Sequence, residues 1–243
     1  MGKKVIIALY GLANTGKTTT LRKLSQIFLD LIEEKEDLQV VFSYKKNKIA
    51  ISTGGDDKGI FEEDTHLYDG TDWKPHTFAT PKRISDILDF INPEDDKKKI
   101  STLHELSPQL QNPDTVATAL RKLSREFLKL IEEKENETGD IQIAFCYRGK
   151  KIVISTAGDS ESEVQASTDL FGMLDADILV TATRKIGRTD TCLSLRNYGE
   201  AIKSEAIELE AIWISKYGSE FLNEAQAKEL HAFIDLIIDN WDN

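Results

Sequence analysis

Two cysteines in 243 residues, Cys146 and Cys192, are too few and too far apart for a disulfide framework or a metal-type spacing. The chain therefore reads as one kept reduced, and a cytoplasmic location is the expectation. The four histidines, His66, His76, His104 and His231, show no ligand spacing either, and no Ser-His-Asp or Cys-His grouping emerges. No apolar run approaches the length of a membrane span. The first residues carry no signal-peptide pattern, and Ile6 stands where a myristoylation pattern needs Ser or Thr. Basic residues are outnumbered, 31 against 42, for a net charge of −11. Such a chain is not expected to coat nucleic acid or to bind a membrane. What remains is an ordinary globular composition, 40% apolar and 30% charged, with length for one large domain or two small ones.

One segment carries chemistry outright. Gly11-Leu12-Ala13-Asn14-Thr15-Gly16-Lys17-Thr18 has the G-x-x-x-x-G-K-[ST] spacing of a phosphate-binding loop. It follows the β-branched run Lys4 to Tyr10, of buried-strand type, and precedes an amphipathic helix, the context such a loop requires. Gly11 and Gly16 let the backbone turn and bring its N–H groups to phosphate oxygens. The helix start directs unpaired N–H groups and a positive dipole end at the same anion. Lys17 is expected to reach the β- and γ-phosphates and the Thr18 hydroxyl to ligate Mg²⁺. Asn14 and Thr15 contribute backbone amides, and Thr19 follows in the same helical turn. The expected ligand is a nucleoside triphosphate with magnesium.

The second feature is repetition. Thr20 to Glu36 and Ala119 to Glu135 are identical at 13 of 17 positions. After a four-residue insertion, Phe42-Ser43-Tyr44 pairs with Phe145-Cys146-Tyr147, and Lys48 to Asp56 pairs with Lys151 to Asp159. Identity extending to loop glycine and aspartate reads as a tandem duplication, covering 18–56 and 116–159. Each copy has a helix, with Leu21, Leu24, Phe28 and Leu31 on one face of the first. A two-stranded antiparallel hairpin follows, Val40 to Tyr44 with Lys48 to Thr53, and its second copy turns at Arg148-Gly149-Lys150. The phosphate loop itself is not repeated: Gly16, Lys17 and Thr18 correspond to Thr115, Val116 and Ala117. One nucleotide site per chain is expected. Farther on, Leu170 to Leu174 closes a helix, Asp177 to Thr183 and Ile207 to Ile214 are strands, and a helix begins near Asn223 with Gln226 as its capping-box partner. The residues between the copies are polar, with a short helix expected over Pro81 to Asn92.

Residues 4–32 resemble the P-loop NTPase superfamily. The resemblance implies a second strand beside the loop strand, ending in an acidic residue that serves the magnesium. The stretch Ser155-Thr156-Ala157-Gly158 is similar to the D-T-A-G segment of small GTPases, but serine replaces the aspartate in both copies, at Ser52 and Ser155. Asp56 and Asp159 are the nearest substitutes, with an ordinary Asx-type turn as the alternative. The guanine-reading N-K-x-D pattern is absent, so ATP is expected by elimination. Thr183 to Thr189 resembles the cationic segment that closes over phosphates in P-loop kinases, with Arg184 and Arg188 as candidates for charge stabilisation and a solvated basic loop as the alternative. The order of segments also resembles bacterial P-loop ATP-binding proteins of unassigned role.

The expected fold is a three-layer α/β P-loop NTPase-like domain over 1–243, with a mostly parallel sheet, antiparallel hairpins and an internal repeat. The alternative divides the chain into a nucleotide-binding lobe, 1–100, and a degenerate second lobe, 101–243. The leading function is Mg²⁺-dependent ATP hydrolysis coupled to a conformational change. Its rivals are a kinase acting on a small molecule or nucleotide and a non-catalytic nucleotide sensor. A protein partner or self-association stays open.

Overall fold

The structure, a computed structural model, describes residues 3–31, 38–44, 47–52, 122, 138–184, 190–204, 208–216 and 222–242. The chain divides into two units, Met1–Glu36 with Gly139–Asn243, and Asp37–Thr138.

In the first unit, strand β1 (Lys3–Gly11) is hydrogen-bonded in parallel to β6 (Ile178–Arg184) on one side and β7 (Glu208–Ser215) on the other. A strand buried on both faces needs apolar residues without alternation, and Val5, Ile6, Ile7, Ala8 and Leu9 supply them, all 2% exposed or less. β6 pairs in parallel with β5 (Lys150–Ser155), which pairs antiparallel with β4 (Thr138–Tyr147). The result is a five-stranded, mostly parallel sheet in the order β4-β5-β6-β1-β7. Arg148 and Gly149 join β4 to β5 with φ of 50° and 76°. Two consecutive positive φ values make the tight turn whose twist matches a hairpin, so the hairpin read at these residues is present.

Four helices among the described residues cover the sheet: α1 (Lys17–Leu31), α2 (Glu161–Met173), α3 (Thr191–Ser204) and α4 (Asn223–Asp239). Residue parity along β1 separates the two faces. Lys4 donates to Asp175 and the Ala176 carbonyl just after α2, under the Phe171 ring, while Leu9 shares a cavity wall with Leu230 and Phe233 of α4. Tyr10 meets Trp213 edge-on, and Arg196 of α3 lies 4.9 Å over that indole. So α2 and α3 cover one face and α4 the other, where α1 packs along it. Phe28 of α1 is fully buried between Phe145, Tyr147 and His231, with ring centroids 4.9–5.0 Å away. This is an α/β architecture with helices on both faces.

Two features differ from the sequence expectation. α3 has no counterpart among the elements read from the sequence. The capping box at Asn223 and Gln226 is not formed: the N-cap is Leu222, with no side-chain hydrogen bond. Both side chains are used elsewhere, Asn223 against Gly16 and Thr20 and Gln226 as acceptor from Lys216.

Of the second unit the structure describes β2 (Leu38–Tyr44) and β3 (Asn47–Ser52), an antiparallel hairpin. Its register runs from Gln39↔Ser52 to Tyr44↔Asn47. In β4–β5 the register runs from Gln142↔Ser155 to Tyr147↔Lys150, the same pairs 103 residues on. Most of the second-copy helix and the helix expected over Pro81 to Asn92 lie outside the described residues, as does residue 56. Among the described residues, no helix is long and apolar enough to cross a membrane.

Candidate functional site

β1 delivers the chain to Gly11 at the carboxyl edge of the parallel strands. Asn14 and Gly16 then take left-handed backbone conformations, φ 57° and 81°, which asparagine tolerates and glycine adopts freely. At Gly16 space is limiting as well, because an added Cβ would lie 2.4 Å from the Asn223 side-chain oxygen. Thr15 Oγ1 donates to the Leu12 carbonyl at 3.0 Å and braces the loop. The first internal bond of α1 runs from Thr20 N–H to the Gly16 carbonyl. The N–H groups of Lys17, Thr18 and Thr19 thus precede the helical ladder, the donor arrangement that attracts anions at a helix start.

Lys17 is buried, 6% exposed, and its Nζ donates to the Leu12 carbonyl at 2.7 Å, with the Gly11 carbonyl at 3.4 Å. Burial holds its pKa below the usual lysine value; the Asp159 charge opposes this, while Arg184 acts in the same direction as burial. Lys17, Asp159 and Arg184 therefore share one electrostatic neighbourhood. Arg184 Nη2 and Asp159 Oδ2 are 2.6 Å apart.

The route by which Asp159 arrives differs from the expectation. The strands beside β1 are β7 and β6, the latter ending at Arg184, and β5 lies one strand beyond β6. The loop after β5 closes that gap by crossing the end of β6. At Gly158 an added Cβ would sit 1.8 Å from the Ala182 carbonyl oxygen, so only glycine permits the crossing. Thr191, fully buried at the start of α3, fastens it: its hydroxyl donates to the Gly158 carbonyl and accepts from Arg184 N–H, each at 2.7 Å. Beyond the crossing, Ser160 and Glu163 form a capping box on α2, and Glu163 also accepts the Asp159 N–H.

Ser155 is fully buried, and its hydroxyl lies 2.7 Å from that of Ser167 on α2. Its role among the described residues is a helix–sheet hydrogen bond. Thr18 and Thr19 are half-buried in the first turn of α1. Asp56 and Arg188 lie outside the described residues.

Three residues here were not among the sequence candidates. Asn223, 1% exposed, packs against Gly16 and accepts from Thr20 Oγ1 at 3.3 Å. Thr191 is the fastener just described. Asp140 accepts from Thr156 Oγ1 at 2.9 Å, and burial raises its carboxyl pKa, with the Thr156 hydrogen bond opposing and Glu163 adding to the rise. A signal for Asp140 existed: Asp37-Leu38-Gln39 recurs as Asp140-Ile141-Gln142, at the same spacing as the hairpins. Asn223 and Thr191 carry no local pattern, because their partners are distant in the chain.

Among the described residues no group of three or more His, Cys, Asp or Glu side chains could hold a metal ion. Magnesium carried on phosphates takes only one or two protein oxygens, and of the residues expected to supply them Thr18 stands in the first turn of α1 while Asp159 is paired with Arg184. No protein-family model, no curated protein and no solved structure matches this chain.

Proposed function

We propose that the chain is an ATP-binding protein with a P-loop NTPase-like fold built on a duplicated helix–hairpin unit, and that it hydrolyses ATP with Mg²⁺ to drive a conformational change. The observation that carries this reading is the convergence of Lys17, Arg184 and the unladdered N–H groups of α1 at one strand edge. Two buried or half-buried cations beside a helix start cost desolvation energy that a polyanion offsets. Lys17 rests on its own loop carbonyls, a neutral acceptor set that a phosphate outcompetes by charge. The strand order also suits the reading, because ligands of open α/β sheets lie outside the carboxyl ends of the strands. Magnesium supplies charge neutralisation at the β- and γ-phosphates. Lys17 and Arg184 hold and orient those phosphates, Thr18 offers the hydroxyl ligand, and Asp159 offers the nearest described carboxylate.

A non-catalytic sensor is the second reading, favoured by two engaged groups: Ser155 bonded to Ser167, and Asp159 paired with Arg184. Incubating the full chain with ATP and Mg²⁺ separates the readings. Phosphate release without any acceptor supports the hydrolase, and turnover only with an added acceptor supports the kinase. Saturable binding with no turnover leaves the sensor. Lys17→Ala is expected to weaken ATP binding about tenfold to a hundredfold, from the loss of charge-assisted hydrogen bonds. Unchanged affinity in that variant overturns the phosphate-site assignment.

A further inference from the structure

A cavity of about 340 Å³ lies between the α4-facing side of β7 and α4 itself. Leu9, Ile212, Ile214 and Phe233 give it apolar walls, and the polar lining comes from Lys216, Gln226 and Glu229. The volume suits a small molecule, and apolar walls with a few placed polar groups are the usual composition of such sites.

Lys216 is the informative residue. It is 1% exposed and ranks among the largest fully buried side chains. Among the described residues its Nζ donates to one group, the neutral Gln226 side-chain oxygen, and no carboxylate pairs with it. Burial alone lowers its pKa. A buried ammonium without a counter-charge is costly. Lys4, Lys203 and Lys228, by contrast, each pair with a carboxylate. The charge missing at Lys216 is negative, and the space beside it is apolar.

We propose that this cavity binds a small monocarboxylate with an apolar body, its carboxylate taken by Lys216 and the Gln226 amide and its body by the Leu9, Ile212, Ile214 and Phe233 walls. Glu229, an exposed member of the lining, sets the limit to one negative charge, because a second would face its carboxylate. Lys216 adjoins Gly11 through its backbone, but the inference does not depend on the proposed ATP site.

The probes are octanoate, 1-octanol and octylamine, which share a chain and differ in head group, titrated calorimetrically into the full-length protein. Octanoate is expected to bind saturably at one site, about tenfold or more tighter than 1-octanol, with octylamine weaker still. Lys216→Met should reverse the order of octanoate and octanol. Should that variant fail to fold, Gln226→Glu keeps the test intact. It gives Lys216 an internal counter-ion, so it should abolish octanoate binding while raising the melting temperature. Ile212→Trp, which fills the cavity, should abolish binding of all three probes. Absence of saturable octanoate binding, equal affinity for octanol, or octanoate affinity unchanged in Gln226→Glu each overturns the proposal.

Discussion

Asp159 and Arg184 meet at 2.6 Å with the carboxylate more than half exposed, so water screens their attraction and the pair is worth about 0.2–1 kcal/mol. On the proposed reading, phosphate competes with Asp159 for the guanidinium. Asp159→Asn removes the competitor, and magnesium-free ATP should then bind about 2–5-fold tighter, while the gain on adding magnesium shrinks. Titration with and without a chelator measures both quantities; a weaker magnesium-free affinity would mean that Arg184 does not meet phosphate. Asp140 presents a different residue-scale case. Burial raises its folded pKa above the ordinary value of 3.8, so the folded chain holds that proton more tightly than the unfolded one. The stability this group contributes is present in full below pH 3.8 and is lost as pH rises through the raised value. Asp140→Asn cannot lose it, so the variant's stability relative to the parent should increase from pH 4 to pH 7 in urea unfolding. A pH-independent difference would assign the cost of the substitution to packing instead.

At the scale of elements, the β5–α2 loop is the piece on which the site depends, because it returns a carboxylate across β6 to the neighbourhood of β1. Gly158→Ala places a methyl against a backbone carbonyl that cannot rotate away. The expected cost is about 1–3 kcal/mol or more, read as a lowered urea midpoint, together with loss of magnesium-dependent ATP affinity. Parent-like values for both would show that the crossing is not held as closely as the structure has it. This crossing also marks where sequence reasoning stops. The loop strand, the hairpin turn at Arg148-Gly149 and the C-terminal helix were legible because each is written in neighbouring residues. The insertion of β6 between β1 and β5 was not, since chain order carries no spatial order. α3 escaped for another reason: its buried stripe is Cys192, Leu195, Gly199 and Ile202, and two small residues dilute the periodic signal. Gly199 is small because an added Cβ would sit 3.1 Å from Leu209, so close packing against β7 erased the mark that would have revealed the helix. The failed capping box follows the same logic, with Asn223 and Gln226 claimed by Gly16, Thr20 and Lys216 from elsewhere in the chain.

For the molecule as a whole, the repeated segments and the single Gly11–Thr18 motif pull in opposite directions. The β2–β3 and β4–β5 hairpins share a register, and the sequence segments before them share most of their residues. Symmetry of this kind would suggest two sites. The chemistry is not symmetric, however, because Thr115, Val116 and Ala117 supply no glycine hinge and no ammonium where Gly16, Lys17 and Thr18 stand. A valine cannot neutralise phosphate charge, and threonine at the Gly16 position would have to hold a φ near 81° at considerable strain. Calorimetric titration with ATP and Mg²⁺ should therefore give one nucleotide per chain. Binding to the folded state alone raises stability by about 2.7 kcal/mol when free ATP reaches a hundred times its dissociation constant. For a chain of this length that corresponds to a melting temperature higher by roughly 5–11 °C. Lys17→Ala, at the same ATP concentration, should show about one-sixth to one-half of this shift. A stoichiometry of two would mean that the second copy binds nucleotide through groups other than a phosphate loop. A full shift retained in Lys17→Ala would place the ligand away from Gly11 to Thr18 altogether.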